Sequence, residues 1–208
     1  MIPQLDNKKQ LSKHEIREIY KTKRNQYTNE MRNLLNERIP KLAVILFDYL
    51  EKKPEFASRD KVKVYIYLSN YENVEVDTWK IISDLEKKEK YSIYVPKIVG
   101  NCMIPVKYTN HFTRNRYGVF ECVNDSENVD IVIPDIVITP LLAYSIDGDR
   151  IGCGGGYYDR YLDCVKKSNK PCITVGMCFE NHTNHTWEVE ERDIGLNYVI
   201  SSTKIYEF

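Results

Sequence analysis

The most informative absences in this chain of 208 residues concern cysteine pairing, net charge and long apolar runs. The six cysteines include no C-x-x-C pair, which favours free thiols in a reducing compartment. No stretch approaches the roughly 18 apolar residues of a membrane span. Lysine plus arginine equals aspartate plus glutamate, at 30 each, so the whole surface is not basic in the way that attracts nucleic acids or membranes.

The amino-terminal segment MIPQLDNKKQ also lacks the apolar core of a signal peptide, so we expect a cytoplasmic protein. The length suits one domain over 1–208 with a sizeable core. Apolar residues make up 42% of the chain and charged residues 29%, which is typical of a soluble globular protein. Composition therefore leaves the function open.

Apolar positions near the amino terminus repeat at three-to-four spacing, which predicts an amphipathic helix over about 12–36. Ser12, with Glu15 three residues later, has the pattern of a capping box at the start of this helix. Pro40 is expected to open a second helix that ends near Leu50. The following KKPEFASRDK is expected to be a loop.

Further along, short β-branched segments alternate with segments of helical spacing. Strands are expected at 62–68, at 92–95 before Pro96, within 130–143, at 172–178 and finally at 198–201. Helices are expected at 77–88 and 157–167, with short strands and loops over 100–129. This alternation predicts an α/β fold with a largely parallel central sheet that helices cover on both faces.

Five of the nine glycines lie between Gly148 and Gly156, in DGDRIGCGGGYYDRYL. Glycines before a helix let backbone N–H groups approach a phosphate, and the helix N-terminus adds partial positive charge. Arg150 is placed to contact the phosphate, and Asp159 to hold a divalent cation. The plainer interpretation is a flexible glycine turn with Asp159 as a helix-start residue. The segment is neither a Walker A loop nor a good dinucleotide fingerprint.

The longer segment PLLAYSIDGDRIGCGGGYYDRYL resembles the glycine-rich signature of the 5-formyltetrahydrofolate cyclo-ligases. Further matches to that family occur in the expected order over nearly the whole chain. They are KHEIR at 13–17, EVDTWKII at 75–82, RYGVFEC at 116–122 and VEERDIGLNYVIS at 189–201. One departure is Cys122, where the family pattern has a proline.

The resemblance implies a three-layer α/β/α fold of the NagB/RpiA/CoA transferase-like type, and one reaction. In that reaction MgATP phosphorylates the formyl oxygen of 5-formyltetrahydrofolate. The N10 amine then attacks the activated carbon, and phosphate leaves to give 5,10-methenyltetrahydrofolate. The resemblance thus implies ATP and Mg²⁺ as cofactors, small-molecule substrates, no nucleic-acid or membrane partner, and a monomer.

The resemblance also implies which residues form the site. The expected ATP-binding residues are Lys13, Arg17, Arg150, Ile151, Gly152, Cys153, Gly154, Gly155, Gly156, Tyr157 and Tyr158. The expected substrate-binding residues are Asp77, Met103, Tyr117, Gly154, Gly155, Gly156 and Tyr157. Arg150 and Tyr158 are expected to be catalytic, and Asp159 and Asp193 to bind the metal.

These assignments have plainer alternatives. Lys13 and Arg17 also fit a solvated basic helix face, and Asp77 fits an N-cap of the helix that follows it. Tyr117 also fits ordinary packing, and Asp193 an ordinary surface acid. For the whole chain two rival functions stay open. One is a folate-binding protein without turnover, and the other is a different phospho-ligand enzyme, such as a sugar-phosphate isomerase or CoA-transferase relative.

Overall fold

A computed structural model of the chain describes residues 10–70, 72, 74–115, 118–123, 132–180, 182–191 and 193–208. Its helices are α1 (Lys13–Asn25), α2 (Asn29–Glu51), α3 (Pro54–Ala57), α4 (Trp79–Glu86) and α5 (Tyr157–Lys167). Its strands are β1 (Val62–Ile66), β2 (Tyr91–Val99), β3 (Cys102–Lys107), β4 (Phe112–Arg114), β5 (Phe120–Cys122), β6 (Ile136–Pro140), β7 (Ala143–Tyr144), β8 (Arg150–Ile151), β9 (Ile173–Met177), β10 (Tyr198–Ile200) and β11 (Ile205–Glu207). None of these described helices has the length and apolar content needed to cross a membrane.

The amino-terminal helices differ from the prediction. The prediction of a single helix over 12–36 was wrong, because α1 ends at Asn25 and α2 begins at Asn29, so residues 26–28 separate two helices. Pro40 does not open a helix but lies inside α2. The true start of α2 is marked by Thr28, whose hydroxyl accepts a hydrogen bond from the Met31 N–H at 3.2 Å. Apolar spacing missed this break because both helices bury an apolar face.

Several other boundaries are confirmed or corrected. The capping box of Ser12 and Glu15 is present at the start of α1, as predicted. The expected loop after α2 contains the short helix α3. The prediction that a strand ends before Pro96 was wrong, since β2 continues through it. The pairing of β2 with β1 stops at Tyr94, so no N–H is needed toward β1 at Pro96.

The main sheet of the described residues has the strand order β11-β10-β9-β6-β1-β2-β3. The strands from β10 to β2 pair in parallel, and β11 and β3 pair antiparallel at the two edges. The predicted largely parallel sheet is therefore confirmed. Two small antiparallel pairs, β4–β5 and β7–β8, lie outside this sheet.

Alternate residues of the central strands pack against helices on opposite faces of the sheet. Val64 and Ile66 of β1 lie in the core formed with α2 and α4. Tyr65, between them, packs instead with α5, where its ring centroid lies 4.5 Å from that of Tyr161. Helices therefore cover both faces, which gives the three layers that the fold class predicts.

Helix α1 packs on the β7–β8 hairpin, where Ile16 and Tyr20 lie in an apolar cluster with Leu142, Ala143 and Ile151. The hairpin follows β6 directly in the chain. The packing therefore holds α1 beside the carboxyl end of the parallel sheet.

Candidate active site

The candidate site lies where β1 and β6 end, at the carboxyl edge at which open α/β sheets bind ligands. β1 leads into the segment 67–78, and β6 leads into the β7–β8 hairpin and the glycine loop, residues 152–156. Arg24 of α1 is buried and donates a hydrogen bond to the Leu141 carbonyl, directly after β6. This contact anchors α1 at that edge.

The β7–β8 hairpin fixes the position of Arg150 and Ile151. Ala143 pairs with Ile151 and Tyr144 with Arg150, and the Leu142 N–H donates to the Ile151 carbonyl at 2.7 Å. The Ile151 side chain is buried in the apolar cluster under α1. Only the backbone of Ile151 is therefore left to contact a ligand.

The glycine loop adopts backbone conformations that favour glycine. Gly154 has a φ of +101° and Gly156 a φ of +65°, both in the left-handed region. Gly156 is also the N-cap of α5 and offers no side chain to the first amides of that helix. Because these N–H groups lack a capping side chain and the helix end is positive, an anion is favoured here.

The basic side chains of α1 fall into two groups, those that are at least half-buried and those that are exposed. Lys13 and Arg17 are half-buried and Arg24 is buried, whereas Lys21 is exposed. Arg17 Nε donates to the Gly152 carbonyl at 3.1 Å, so this guanidinium lies against the glycine loop. A wholly solvated basic face does not describe Lys13 and Arg17.

Arg150 joins the hairpin to α5. Its Nη2 donates to the Asp159 carboxylate and its Nη1 to the Ile194 carbonyl. The side chain is only 5% exposed. Burial lowers the pKa of this guanidinium, and the charges of Asp159 and Asp193 oppose that change. The expected phosphate ligand and an expected metal ligand thus form an ion pair within the chain.

Asp193 lies close to the start of α1. Its Oδ2 accepts hydrogen bonds from Lys13 Nζ at 2.6 Å and from the Glu190 N–H at 2.7 Å. Lys13 also contacts the Glu190 carboxylate at 2.9 Å. Burial works to raise the pKa of Asp193, but the hydrogen bonds from Lys13 and Glu190 outweigh it and lower that pKa. Asp193 is therefore tied to the site and is not an isolated surface acid.

The arrangement fits a magnesium ion that phosphate oxygens help to bind. Arg150 contacts Asp159 and the residue that follows Asp193, which brings the two carboxylates to one region. Among the described residues there is no group of three or more His, Cys, Asp or Glu side chains that could hold a metal. Mg²⁺ is often held by one or two carboxylates together with substrate phosphates and waters. The donor set therefore suits a metal that arrives with a phosphate ligand.

Sequence reasoning missed Glu75, two residues before Asp77. The Glu75 carboxylate accepts a hydrogen bond from the Asn70 N–H at 2.8 Å. Burial raises the pKa of this carboxyl, although Asn70 and Arg24 act in the opposite direction. The sequence did contain a signal, because Glu75 lies between two valines, Val74 and Val76. Both valines are buried in the structure. An acid in such a place is a candidate ligand-binding group.

Tyr158 lies in the same desolvated region as Glu75. Burial raises the pKa of Tyr158, and the charge of Glu75 raises it further. The Tyr158 hydroxyl is buried and has no hydrogen-bond partner among the described residues. Met103 and Tyr157 pack with the same apolar cluster on α5, so the structure brings these three expected ligand-binding residues together.

The remaining expected residues have other settings. The Asp77 carboxylate accepts hydrogen bonds from the Trp79 N–H at 2.9 Å and the Ser69 hydroxyl at 3.4 Å, so it supports the first turn of α4. Cys153 is exposed on the glycine loop, and all six cysteines are free thiols. Tyr117 lies outside the described residues.

Comparison with known proteins decides the family. A family model described as the 5-formyltetrahydrofolate cyclo-ligase family matches residues 9–202. The chain belongs to this family.

Named cyclo-ligases from other organisms align over much of their length. A probable 5-formyltetrahydrofolate cyclo-ligase of Schizosaccharomyces pombe is 25% identical over 199 residues, which cover 85% of this chain and 96% of that protein. The 5-formyltetrahydrofolate cyclo-ligase of Haemophilus influenzae is 31% identical over 134 residues, or 58% of this chain and 68% of that protein. The Escherichia coli K12 cyclo-ligase is 30% identical over 141 residues, or 64% and 75%.

Solved structures support the fold assigned to this cyclo-ligase family member. The structure of Aquifex aeolicus 5,10-methenyltetrahydrofolate synthetase superposes with a TM-score of 0.64 at 26% identity, covering 94% of this chain and 92% of that one. A 5,10-methenyltetrahydrofolate synthetase from Mycoplasma pneumoniae gives 0.62 at 20% identity, covering 91% and 98%. The expected α/β class is confirmed.

Proposed function

We propose that this chain is an active 5-formyltetrahydrofolate cyclo-ligase that converts 5-formyltetrahydrofolate and ATP to 5,10-methenyltetrahydrofolate, ADP and phosphate. Membership of the cyclo-ligase family and the names of its relatives support this activity. Within the chain, the observation that carries the proposal is a cluster of four charged side chains beside the glycine loop. These are Lys13, Arg150, Asp159 and Asp193. Transfer of a phosphoryl group requires charges of this kind.

The reaction needs phosphoryl transfer because an amide oxygen is a poor leaving group. Attack of the formyl oxygen on the terminal phosphorus of ATP forms an O–P bond and releases ADP. The N10 amine then attacks the formyl carbon and loses its proton. The C–O bond breaks, so the formyl oxygen departs with the phosphate and leaves the methenyl bridge.

We assign the nucleotide to α1, β8 and the glycine loop. Lys13, Arg17 and Arg150 supply charge-assisted contacts to phosphate oxygens, and the amides at the start of α5 add neutral donors. The other proposed members of this set are Ile151, Gly152, Cys153, Gly154, Gly155, Gly156, Tyr157 and Tyr158. A bound Mg²⁺ neutralises phosphate charge, and Asp159 and Asp193 are the carboxylates that would hold it.

We assign the folate to the region of Glu75, Met103, Tyr157 and Tyr158. A carboxylate accepts hydrogen bonds from ring N–H groups, and aromatic side chains stack on a flat ring. Glu75 is a better candidate than Asp77 for the acidic contact, because it is desolvated and interacts with Tyr158. Asp77 is already bonded to α4. The further proposed members are Tyr117, Gly154, Gly155 and Gly156.

Transfer of the formyl oxygen tests the proposed reaction. The substrate carries a heavy-oxygen label in its formyl group, and mass spectrometry follows the label. We expect one labelled phosphate for each methenyl product, and no product without ATP. Label that appears in water contradicts the mechanism. If both ligands bind and no product forms, the chain is the rival non-catalytic folate-binding protein.

We further propose that residues 1–208 form one domain that acts as a cytoplasmic monomer without a nucleic-acid or membrane partner. The charged cluster supports the monomer, since one chain contributes all four of its members. The zero net charge also gives no overall attraction to nucleic acid or membranes. Light scattering after size-exclusion chromatography should give the mass of one chain, 24.5 kDa. Twice that mass contradicts the monomer.

A further inference from the structure

Both carboxylates proposed to hold the metal ion are paired with cations of the same chain. Lys13 Nζ lies 2.6 Å from Asp193 Oδ2, and Arg150 Nη2 donates to Asp159 Oδ1. Lys13 and Arg150 are also side chains proposed to contact the phosphates. Each of these two phosphate ligands therefore neutralises one proposed metal ligand.

These ion pairs are partly shielded from water, so an unpaired member is costly. The side chains of Lys13 and Asp193 are 17% and 23% exposed, and those of Arg150 and Asp159 are 5% and 37% exposed. Arg150 also interacts electrostatically with Asp193, which joins the two pairs into one four-charge cluster, and Lys13 has a second acidic contact at its more exposed edge, the Glu190 carboxylate at 2.9 Å. In such surroundings a lone charge is unfavourable, whereas an exchange of partners keeps every charge neutralised.

We propose that this four-charge cluster couples the binding of the divalent cation to that of the nucleotide, so that each binds weakly until the other is present. The inference rests on the proposed function of the site. A divalent cation alone meets carboxylates that Lys13 and Arg150 already occupy. A nucleotide alone draws those cations away and leaves two carboxylates unpaired. When both bind, the phosphates take the cations and the metal takes the carboxylates. The coupling is necessarily reciprocal.

The coupling gives Lys13→Met two effects of opposite sign. Loss of the ammonium frees Asp193, so the affinity for Mn²⁺ without nucleotide should rise about threefold to tenfold. The affinity for ATP should fall, because a phosphate contact is lost. A lysine that only contacts phosphate would change ATP binding alone. A lysine that only stabilises the fold would lower both affinities.

Asp193→Asn is the complementary variant. It removes the negative charge but keeps a side-chain oxygen that can accept the Glu190 N–H, a bond of 2.7 Å in the wild type. Lys13 is then free of this partner, so the affinity for ATP in excess chelator should rise by a similar factor of about three to ten. The affinity for Mn²⁺ should fall, because a carboxylate ligand is lost.

The experiment uses the full chain. Electron paramagnetic resonance measures Mn²⁺ binding without nucleotide, and calorimetry measures ATP binding in excess chelator. Lys167→Met and Asp163→Asn are matched controls, since each removes one charge from an exposed ion pair on α5 outside the site. Both controls should leave the two affinities unchanged. Thermal unfolding curves check that every variant is folded.

The coupling is overturned if Lys13→Met does not raise Mn²⁺ affinity and Asp193→Asn does not raise ATP affinity in folded protein. Turnover of 5-formyltetrahydrofolate by the wild type in that case leaves the proposed function intact and rejects the coupling alone. A wild type that binds no MgATP rejects both. Opposite shifts of the two affinities in each variant support the coupling.

Discussion

The two halves of the candidate site differ in how their polar groups are paired within the chain. In the nucleotide half, Lys13, Arg150 and Asp159 each contact an opposite charge within the chain. In the folate half, Glu75 and Tyr158 are desolvated, and burial raises the pKa of both. The Tyr158 hydroxyl has no hydrogen-bond partner in the described part of the chain. The charged groups of the nucleotide half thus already have ionic partners within the chain, whereas the folate half contains a buried hydroxyl that a ligand could bond to.

This difference implies two energetic routes to binding. A paired charge must exchange one partner for another, so ligand affinity depends on what becomes of the partner that is released. A desolvated group has already lost water during folding, so a ligand that bonds to it gains without that cost. The folate half therefore lowers folding stability and raises ligand affinity, whereas the nucleotide half does not.

The largest effect is expected on kcat when Asp159 in the nucleotide half is changed. Asp159→Asn removes a proposed metal ligand and the ionic partner of Arg150, so kcat should fall about 10²- to 10³-fold. Steady-state formation of the methenyl product measures this. Asp163→Asn, one turn later on α5, is the control and should keep the wild-type rate. A wild-type kcat in Asp159→Asn would remove this residue from the metal site.

The next effect tests the folate half through Glu75. Glu75→Gln loses a carboxylate acceptor, so KM for 5-formyltetrahydrofolate should rise about 10- to 100-fold, with a smaller change in KM for ATP. Initial rates at varied concentrations of each substrate give both values. Glu55→Gln, at an exposed position, is the control. Equal changes in both KM values would contradict the division of the site.

The same variant makes a prediction about stability and pH. A raised pKa means that Glu75 favours the folded state below its ordinary pKa of 4.5 and that this contribution is lost as pH rises through the folded-state pKa. Glu75→Gln should therefore raise Tm at neutral pH, and the gain should shrink as the pH falls toward about 4.5. Thermal unfolding over this range checks the sign. A lower Tm at neutral pH would contradict it.

Smaller effects on stability and turnover are expected at Tyr158 in the folate half. Tyr158→Phe removes a buried hydroxyl that has no hydrogen-bond partner in the described part of the chain, so stability should rise by about 1 kcal/mol while turnover falls about tenfold. Tyr161→Phe removes another buried hydroxyl, from the next turn of α5, that also has no hydrogen-bond partner among the described residues. It should give the same stability gain with unchanged turnover. Equal turnover in the two variants would deny the Tyr158 hydroxyl a role in the reaction.

The last expected effect is on stability alone and concerns the glycine loop that both halves share. Gly156 has a positive φ, and a Cβ there would lie 2.7 Å from Arg160 Nη1. Gly156→Ala should therefore lower the free energy of unfolding by about 1–2 kcal/mol. Gly152 has open space around its Cβ position, so Gly152→Ala should leave stability nearly unchanged. Chemical denaturation compares the pair, and equal losses would argue against this loop conformation.

The parts of the fold with strong local signals were predictable. Helix α5 has the bounds expected from its sequence, because a glycine cluster precedes it and its apolar residues keep helical spacing. The break within 26–28 was not found, since continuous apolar spacing conceals it. The β7–β8 hairpin and β11 were also missed. β7 and β8 have two residues each, too few to show an alternating pattern, and β11 has only three.

How well the site residues could be predicted from the sequence also differs between the two halves. The charged residues of the nucleotide half could be expected from the glycine segment and the family motifs, because their chemistry is visible in their residue types. The choice between Glu75 and Asp77 could not be made this way. It depends on which carboxylate is used by α4 and which is desolvated, and only tertiary packing determines that.

Separate titrations with each ligand test the division of the site most directly. Calorimetry measures binding of MgATP and of 5-formyltetrahydrofolate to Asp159→Asn and to Glu75→Gln. We expect Asp159→Asn to lose affinity for MgATP and keep that for 5-formyltetrahydrofolate, whereas Glu75→Gln should show the reverse. Two folded variants that lose both affinities to the same extent would contradict a site with one half for the nucleotide and one for the folate.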